Sequence, residues 1–369
     1  MKAKIGAILF LLLVVSLSVF LIYGRARTTE HSRENLHPAM YYEKTGSGFV
    51  RCNLCPNRCN LSNGQIGTCR ARINKNGELY SMVYGQIAAV HVDPIEKKPF
   101  FHVLPGSVAF SIATTGCNLR CKFCQNWQIS QALPWEAQSI RMTPAEVVDA
   151  AVKSGAKSIA FTYSEPTVYY EYVMDIAKLA HEKGLKVVVV SAGYINPEPL
   201  RELLPYVDAY KIDFKGFSEK FYEKMTVGRL APVLEAMKII KEKGVWLEIV
   251  NLLLPGENDS EDDIKNLALW LKDNLGPDVP LHFSRFHPDY KMLNLPPTPV
   301  EKLVQARKIA LGVGLNYVYI GNADYPEGEA TYCPKSKEKV IDRRGFFVMS
   351  NNLNSGLCRD GEKIPGIWK

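Results

Sequence analysis

The chain has 369 residues, a formal net charge of +7, 47% hydrophobic residues and 22% charged residues, values ordinary for a globular protein with a large core. Its positive charge is spread along the sequence without a basic block and interleaved aromatics, so nucleic-acid binding is not implied. Nine cysteines fall in groups of four, three, one and one, and close clusters in a long chain favour metal ligation in a reducing compartment over a disulfide framework.

Residues 5–22 form an uncharged apolar run between Lys2 and Lys4 on one side and Arg25 and Arg27 on the other. About 18 apolar residues approach the length needed to span a bilayer, and no Ala-x-Ala cleavage pattern follows. The run is expected to be a single-pass anchor spanning residues 1–27 with its flanks, with a cleaved signal peptide as the alternative. Positive charge is balanced across it, so the need of cluster chemistry for the cytosol sets the expected orientation: amino terminus out, catalytic domain facing the cytoplasm. A polar linker at 28–40 follows.

Cys52, Cys55, Cys59 and Cys69 come next, the last after a turn at Asn63-Gly64. Four thiolates close a site, and either structural zinc or a second, fully ligated iron–sulfur cluster satisfies this spacing. Residues 79–92 alternate as a hairpin or strand pair would, and the proline-broken segment 93–106 reads as a loop. The module is placed at 41–104.

From 107 onward strands alternate with helices. Strands are expected over 108–113, 157–163, 185–191, 209–214, 246–254 and 281–285, with a further one over 317–320. Helices are expected over 143–154, 168–182, 230–243, 261–275 and 300–313. Thr143 before Pro144 reads as a helix cap, and four consecutive valines at 187–190 read as a strand buried on both faces. Such alternation implies parallel strands with right-handed crossovers. The fold expected is α/β, a partial TIM-like (β/α)6 barrel over 105–325, whose site sits at the carboxyl ends of its strands. That rule selects Glu165 after the second strand, Ser191 after the third, Asp213 and Lys215 after the fourth, and Arg285, His287 and Asp289 after the sixth.

The first strand delivers Cys117, Cys121 and Cys124, with Phe123 directly before the third cysteine. Three thiolates hold three irons of a 4Fe–4S cube and leave the fourth open. An open iron can chelate the amino and carboxylate groups of S-adenosylmethionine (SAM), whose reductive cleavage releases a 5′-deoxyadenosyl radical. Zinc fits a lone triplet poorly because it prefers four ligands. An electron carrier, the competing class, favours a fully ligated cluster.

This spacing resembles the signature of the radical SAM superfamily. With Asp93-Pro94-Ile95-Glu96-Lys97-Lys98-Pro99 and Cys124-Gln125-Asn126-Trp127, the chain resembles the radical SAM member of the AmmeMemoRadiSam system, a relative of pyruvate formate-lyase activating enzyme. The resemblance supports Glu165, Asp213, Lys215 and the segment of Glu96 and His102; with the strand-end residues, SAM contacts are expected from Phe123, Glu165, Ser191, Asp213, Lys215 and His287, and catalytic roles from Glu96, His102, Arg285 and Asp289. It implies a low-potential electron donor, and as partner either a glycyl-radical protein or Memo-like and AMMECR-like proteins. Two departures stand out. Tyr163-Ser164 replaces two glycines before Glu165, and Ser336 and Gly361 replace the second cysteines of a zinc ribbon at 326–369. The tail is therefore expected to keep a degenerate ribbon without metal, since Cys333 and Cys358 are too few ligands.

Overall fold

Apolar runs separated by amphipathic helices assemble into one eight-stranded sheet in the computed structural model, which describes residues 36–369. Its strands are β1 (Ala89–Pro94), β2 (Val108–Ala113), β3 (Ser158–Phe161), β4 (Lys186–Ser191), β5 (Ala209–Phe214), β6 (Trp246–Leu253), β7 (Leu281–Arg285) and β8 (Val318–Gly321). Strands β2 to β8 are parallel neighbours in chain order, and β1 pairs antiparallel with β2. The edge strands β1 and β8 do not pair with each other, so the curved sheet stays open. Every residue of β3 is buried, as is all of β4 beyond Lys186, which is why these strands read as unbroken apolar runs.

Helices α1 (Pro144–Lys153), α2 (Tyr170–Glu182), α3 (Pro197–Leu203), α4 (Leu230–Glu242), α5 (Glu261–Leu275) and α6 (Val300–Val313) supply the crossovers. The Thr143 side chain accepts from Glu146 N–H while the Glu146 carboxylate accepts from Thr143 N–H, a complete capping box.

The sheet is wider than the six strands expected. The strand over 318–321 belongs to it, and so does Ala89–Pro94, which the sequence placed in a hairpin within the amino-terminal module. Glu78–Ser81 instead pairs with Arg72–Lys75. The module, built of small antiparallel sheets, is tied to α2 by the ion pair of Arg72 and Glu171, both almost fully buried.

The tail forms a three-stranded antiparallel sheet of Thr331–Tyr332, Lys339–Arg344 and Phe347–Asn351. Cys333 and Cys358 are joined in a disulfide, a pairing on which the sequence reading made no statement.

The anchor expected over residues 5–22 lies outside the described residues. Among the described residues no helix is long and apolar enough to cross a membrane, and the membrane location expected from the sequence is corrected on that ground.

Candidate active site

The cysteine loop leaves the carboxyl end of β2 and is pinned from three sides. Arg120 and Lys122 donate their backbone N–H groups to the carbonyls of Thr226 and Met225, at 2.7 and 2.9 Å. The Asn118 side chain donates to the Tyr194 carbonyl at 2.7 Å, and Arg120 donates to the Cys117 carbonyl and to Gln131. Gly116 turns the chain into the loop at φ +98°, and a Cβ there would sit 2.5 Å from the Cys69 carbonyl oxygen, so no other residue fits.

The three sulfurs of Cys117, Cys121 and Cys124 do not all lie within 4.8 Å of one another. Thiolates sharing one tetrahedral zinc stand about 3.8 Å apart, whereas ligands to three different irons of a cube stand farther apart. The donor set does not match a single zinc. Burial pushes the Cys121 thiol up to about 12, with Lys215 opposing, and Cys117 well above the thiol range. Metal binding is what ionises such thiols. Phe123 is buried and packs against Phe221, with ring centroids 6.2 Å apart.

Strand ends gather polar groups around this loop. The Glu165 carboxylate accepts from Thr167 N–H and Oγ1 (3.1 and 2.7 Å), from Ser191 Oγ (2.6 Å) and from Ala192 N–H (2.9 Å). Three of these bonds fall on Oε1 and one on Oε2, which leaves Oε2 a lone pair for an incoming ammonium. Glu165 thus caps the turn at Pro166–Tyr169 and also keeps an acceptor free. Asp213 lies 2.7 Å from Lys211 Nζ and 3.4 Å from Lys215 Nζ. Burial opposes its ionisation, but the two lysines outweigh that and hold it at about 2.

A further cluster was not legible in the sequence. The Lys98 ammonium donates to Asp93 at 2.7 Å and to the Tyr163 hydroxyl at 2.8 Å, and the Tyr163 hydroxyl also donates to Asp93. Burial lowers Lys98 to about 8 against the pull of Asp93. Tyr163 has φ +63°, the left-handed conformation a glycine would take without strain. The missing glycine therefore does not change the turn. Its replacement brings a hydroxyl down onto Asp93, and its carbonyl accepts from Asn126 beside the cysteine loop.

Of the residues after the sixth expected strand, here β7, Asp289 accepts from Trp127 Nε1 at 3.2 Å, and Tyr290 stacks on Trp127 at 5.3 Å. Asp289 therefore clasps the segment that follows Cys124. Arg285 donates to the Thr298 carbonyl at 2.8 Å and lines a cavity of about 430 Å³ with His282, Ser284, Asn322 and Phe346. His287 is exposed, and its ring meets the adjacent Pro288 carbonyl at 3.4 Å. The geometry gives it no hold on the cysteine loop, which corrects its expected SAM contact.

Glu96 and His102 stand elsewhere. His102 is fully buried, with its ring nitrogens 2.7 Å from the Pro365 carbonyl and 2.7 Å from the Tyr319 hydroxyl, and burial lowers it to about 4. Its backbone N–H donates to Glu248, near the start of β6, and Glu248 also meets His282 Nε2 at 2.8 Å. His102 is a neutral element of the packing at the amino ends of the strands, which corrects the catalytic role expected for it. Glu96 lines the far side of the cavity, accepts from Gly106 N–H at 3.0 Å and lies 3.5 Å from Arg343 Nε. That pairing holds its carboxylate at the cavity, away from the cysteine loop. Both residues adjoin the cysteine strand in sequence, but not its carboxyl end in space.

The four cysteines of the module surround a small void of about 20 Å³ that Arg72, Thr68, Asn118 and Val168 also line. In the tail, Cys358 stands with Asp360 and Glu362 in a group whose ligand atoms lie within 4.8 Å, but its sulfur is committed to the disulfide.

Comparison with known proteins agrees with this geometry. Residues 111–268 match the model of the radical SAM superfamily. An uncharacterised protein of Methanocaldococcus jannaschii is 46% identical over 332 residues, 89% of this chain and 99% of the relative. The pyruvate formate-lyase-activating enzyme of Clostridium pasteurianum is 24% identical over 206 residues, 52% of this chain and 86% of that enzyme. Among solved structures, a domain of pyruvate-formate lyase-activating enzyme from Bacteroides vulgatus aligns with a TM-score of 0.41 at 20% identity, over 45% of this chain and 100% of the domain. The chain belongs to the radical SAM superfamily, and is an enzyme whose family works with a 4Fe–4S cluster and SAM.

Proposed function

We propose that Cys117, Cys121 and Cys124 hold the cluster, and that Glu165, Ser191, Asp213 and Lys215 receive SAM. The observation that carries this reading is the spread of the three sulfurs at the mouth of β2, beside a carboxylate with one free lone pair. When bound, the cluster supplies the electron that cleaves SAM to methionine and a radical that removes hydrogen from substrate. The protein's share is orientation. Glu165 Oε2 accepts from the ammonium of SAM, and Ser191, donating to Glu165 while accepting from Gly193 N–H, fixes the carboxylate. Lys215, held charged by Asp213 and the neighbouring sulfurs although burial opposes it, offers a cation to the SAM carboxylate. Phe123 covers one side of the loop.

The substrate is read as entering the cavity that Ser284, Arg285 and Asn322 line at the carboxyl ends of the last two strands, with Phe346 of the tail as one wall. The relationship to pyruvate formate-lyase-activating enzyme supports a second reading, in which a segment of a glycyl-radical protein reaches that cavity. A low-potential one-electron donor serves either reaction. The test is spectroscopic. SAM should shift the electron paramagnetic resonance signal of the reduced cluster in the wild type, and Lys215→Ala should weaken the SAM concentration dependence by ten- to a hundredfold, the range for a lost charged hydrogen bond. A signal indifferent to SAM in the wild type would sink the reading.

A further inference from the structure

The quartet Cys52, Cys55, Cys59 and Cys69 is satisfied by zinc or by a cluster on spacing alone, and two features separate them, the distance between its sulfurs and an unpaired buried donor beside them. No three of its sulfurs lie within 4.8 Å of one another, although thiolates on one zinc would stand about 3.8 Å apart. All four line a single small void, so their side chains face one shared centre. Arg72 lines the same void, is 1% exposed, and keeps its Nε–H without an acceptor. A buried donor is costly unless an acceptor meets it, and a cluster's inorganic sulfides are acceptors of the right charge.

We infer that the quartet binds a second 4Fe–4S cluster, fully ligated by protein. It rests on the same side of the molecule as the first: the Cys117 N–H donates to the Cys69 carbonyl at 3.2 Å, so one hydrogen bond separates the two ligand sets. With no open iron, this centre takes no SAM. Its chemistry is the transfer of single electrons, taken from a low-potential donor and passed on with return to its oxidised state. The inference extends the proposed function without depending on how SAM is held.

The test is metal content in the full chain, reconstituted without oxygen in excess iron and sulfide. Wild type should carry about eight irons and eight sulfides and no stoichiometric zinc, and a Cys117→Ala, Cys121→Ala, Cys124→Ala variant about four irons. Reduced with dithionite, that variant should show a cluster signal that SAM leaves unchanged. About four irons with one zinc in the wild type, or about four irons with an empty quartet, would overturn the inference. A folded triple variant without iron would do so as well. A wild type with four irons that still cleaves SAM would remove this second centre and leave the proposed function standing.

Discussion

The two ends of the sheet carry polar groups of opposite use. At the carboxyl ends, Cys117, Cys121, Cys124, Glu165, Asp213 and Lys215 leave sulfurs, a lone pair and a cation unspent or partly exposed. At the amino ends, His102, Glu248, His282 and Tyr319 are buried and bonded to one another. Glu248 alone accepts from Phe101 N–H, His102 N–H, Trp246 Nε1 and His282. Spare valence marks the end built for a ligand, and full satisfaction marks the end built for stability. Histidine and carboxylate together, often read as a catalytic pair, fall here on the stabilising side.

That contrast is sharpest under substitution. Glu248→Ala leaves His282 and two backbone N–H groups without an acceptor in the interior, and should cost about 3–5 kcal/mol in denaturant unfolding. Cluster content per folded molecule should stay at the wild-type level; loss of the cluster from folded protein would break the division between the ends.

Acid should act on the same end. Burial lowers His102 to about 4, against an ordinary value near 6.5. The fold therefore favours the neutral ring: its contribution is complete above about pH 6.5 and is lost as pH falls toward 4, about 3 kcal/mol from this group. Glu248, which burial would raise but which His282 and His102 hold at about 2, adds a further loss below the ordinary carboxylate range. Unfolding measured from pH 7 to 4.5 should show this decline, and His102→Gln should flatten it. A flat wild-type profile would contradict the assignment.

Asp213→Asn removes the anion between Lys211 and Lys215, and should weaken SAM binding by about tenfold, read by titration against the cluster signal, at a cost in stability of about 2 kcal/mol. The smallest effect is expected at Tyr163→Phe. It deletes a hydroxyl shared with Asp93 and Lys98 and should cost about 1 kcal/mol in denaturant unfolding. Measured stability losses above those at Glu248 would reverse the ranking.

Most of the barrel was legible, because 3.6-residue and unbroken apolar periods are strong local signals. Ala209–Phe214, Glu261–Leu275, Leu281–Arg285 and Val300–Val313 fall where the sequence put them. Strand Ala89–Pro94 was not, since its partner lies beyond a proline-rich loop and its edge position needs no apolar run. The cysteine loop was legible from spacing alone. Glu96 and His102 were misplaced because closeness to that loop along the chain is not closeness in space. The meeting of Asp93 and Lys98 with Tyr163 was not legible because it depends on a left-handed tyrosine, which no propensity foretells. The disulfide of Cys333 and Cys358 was missed because two distant cysteines carry no pairing signal.

The most direct test of the account is 5′-deoxyadenosine release from SAM with dithionite, without oxygen, in wild type, Cys117→Ala and His102→Gln. The account predicts product from the wild type and from folded His102→Gln at comparable rates, and none above background from Cys117→Ala. Product from Cys117→Ala, or its loss from folded His102→Gln, would contradict it.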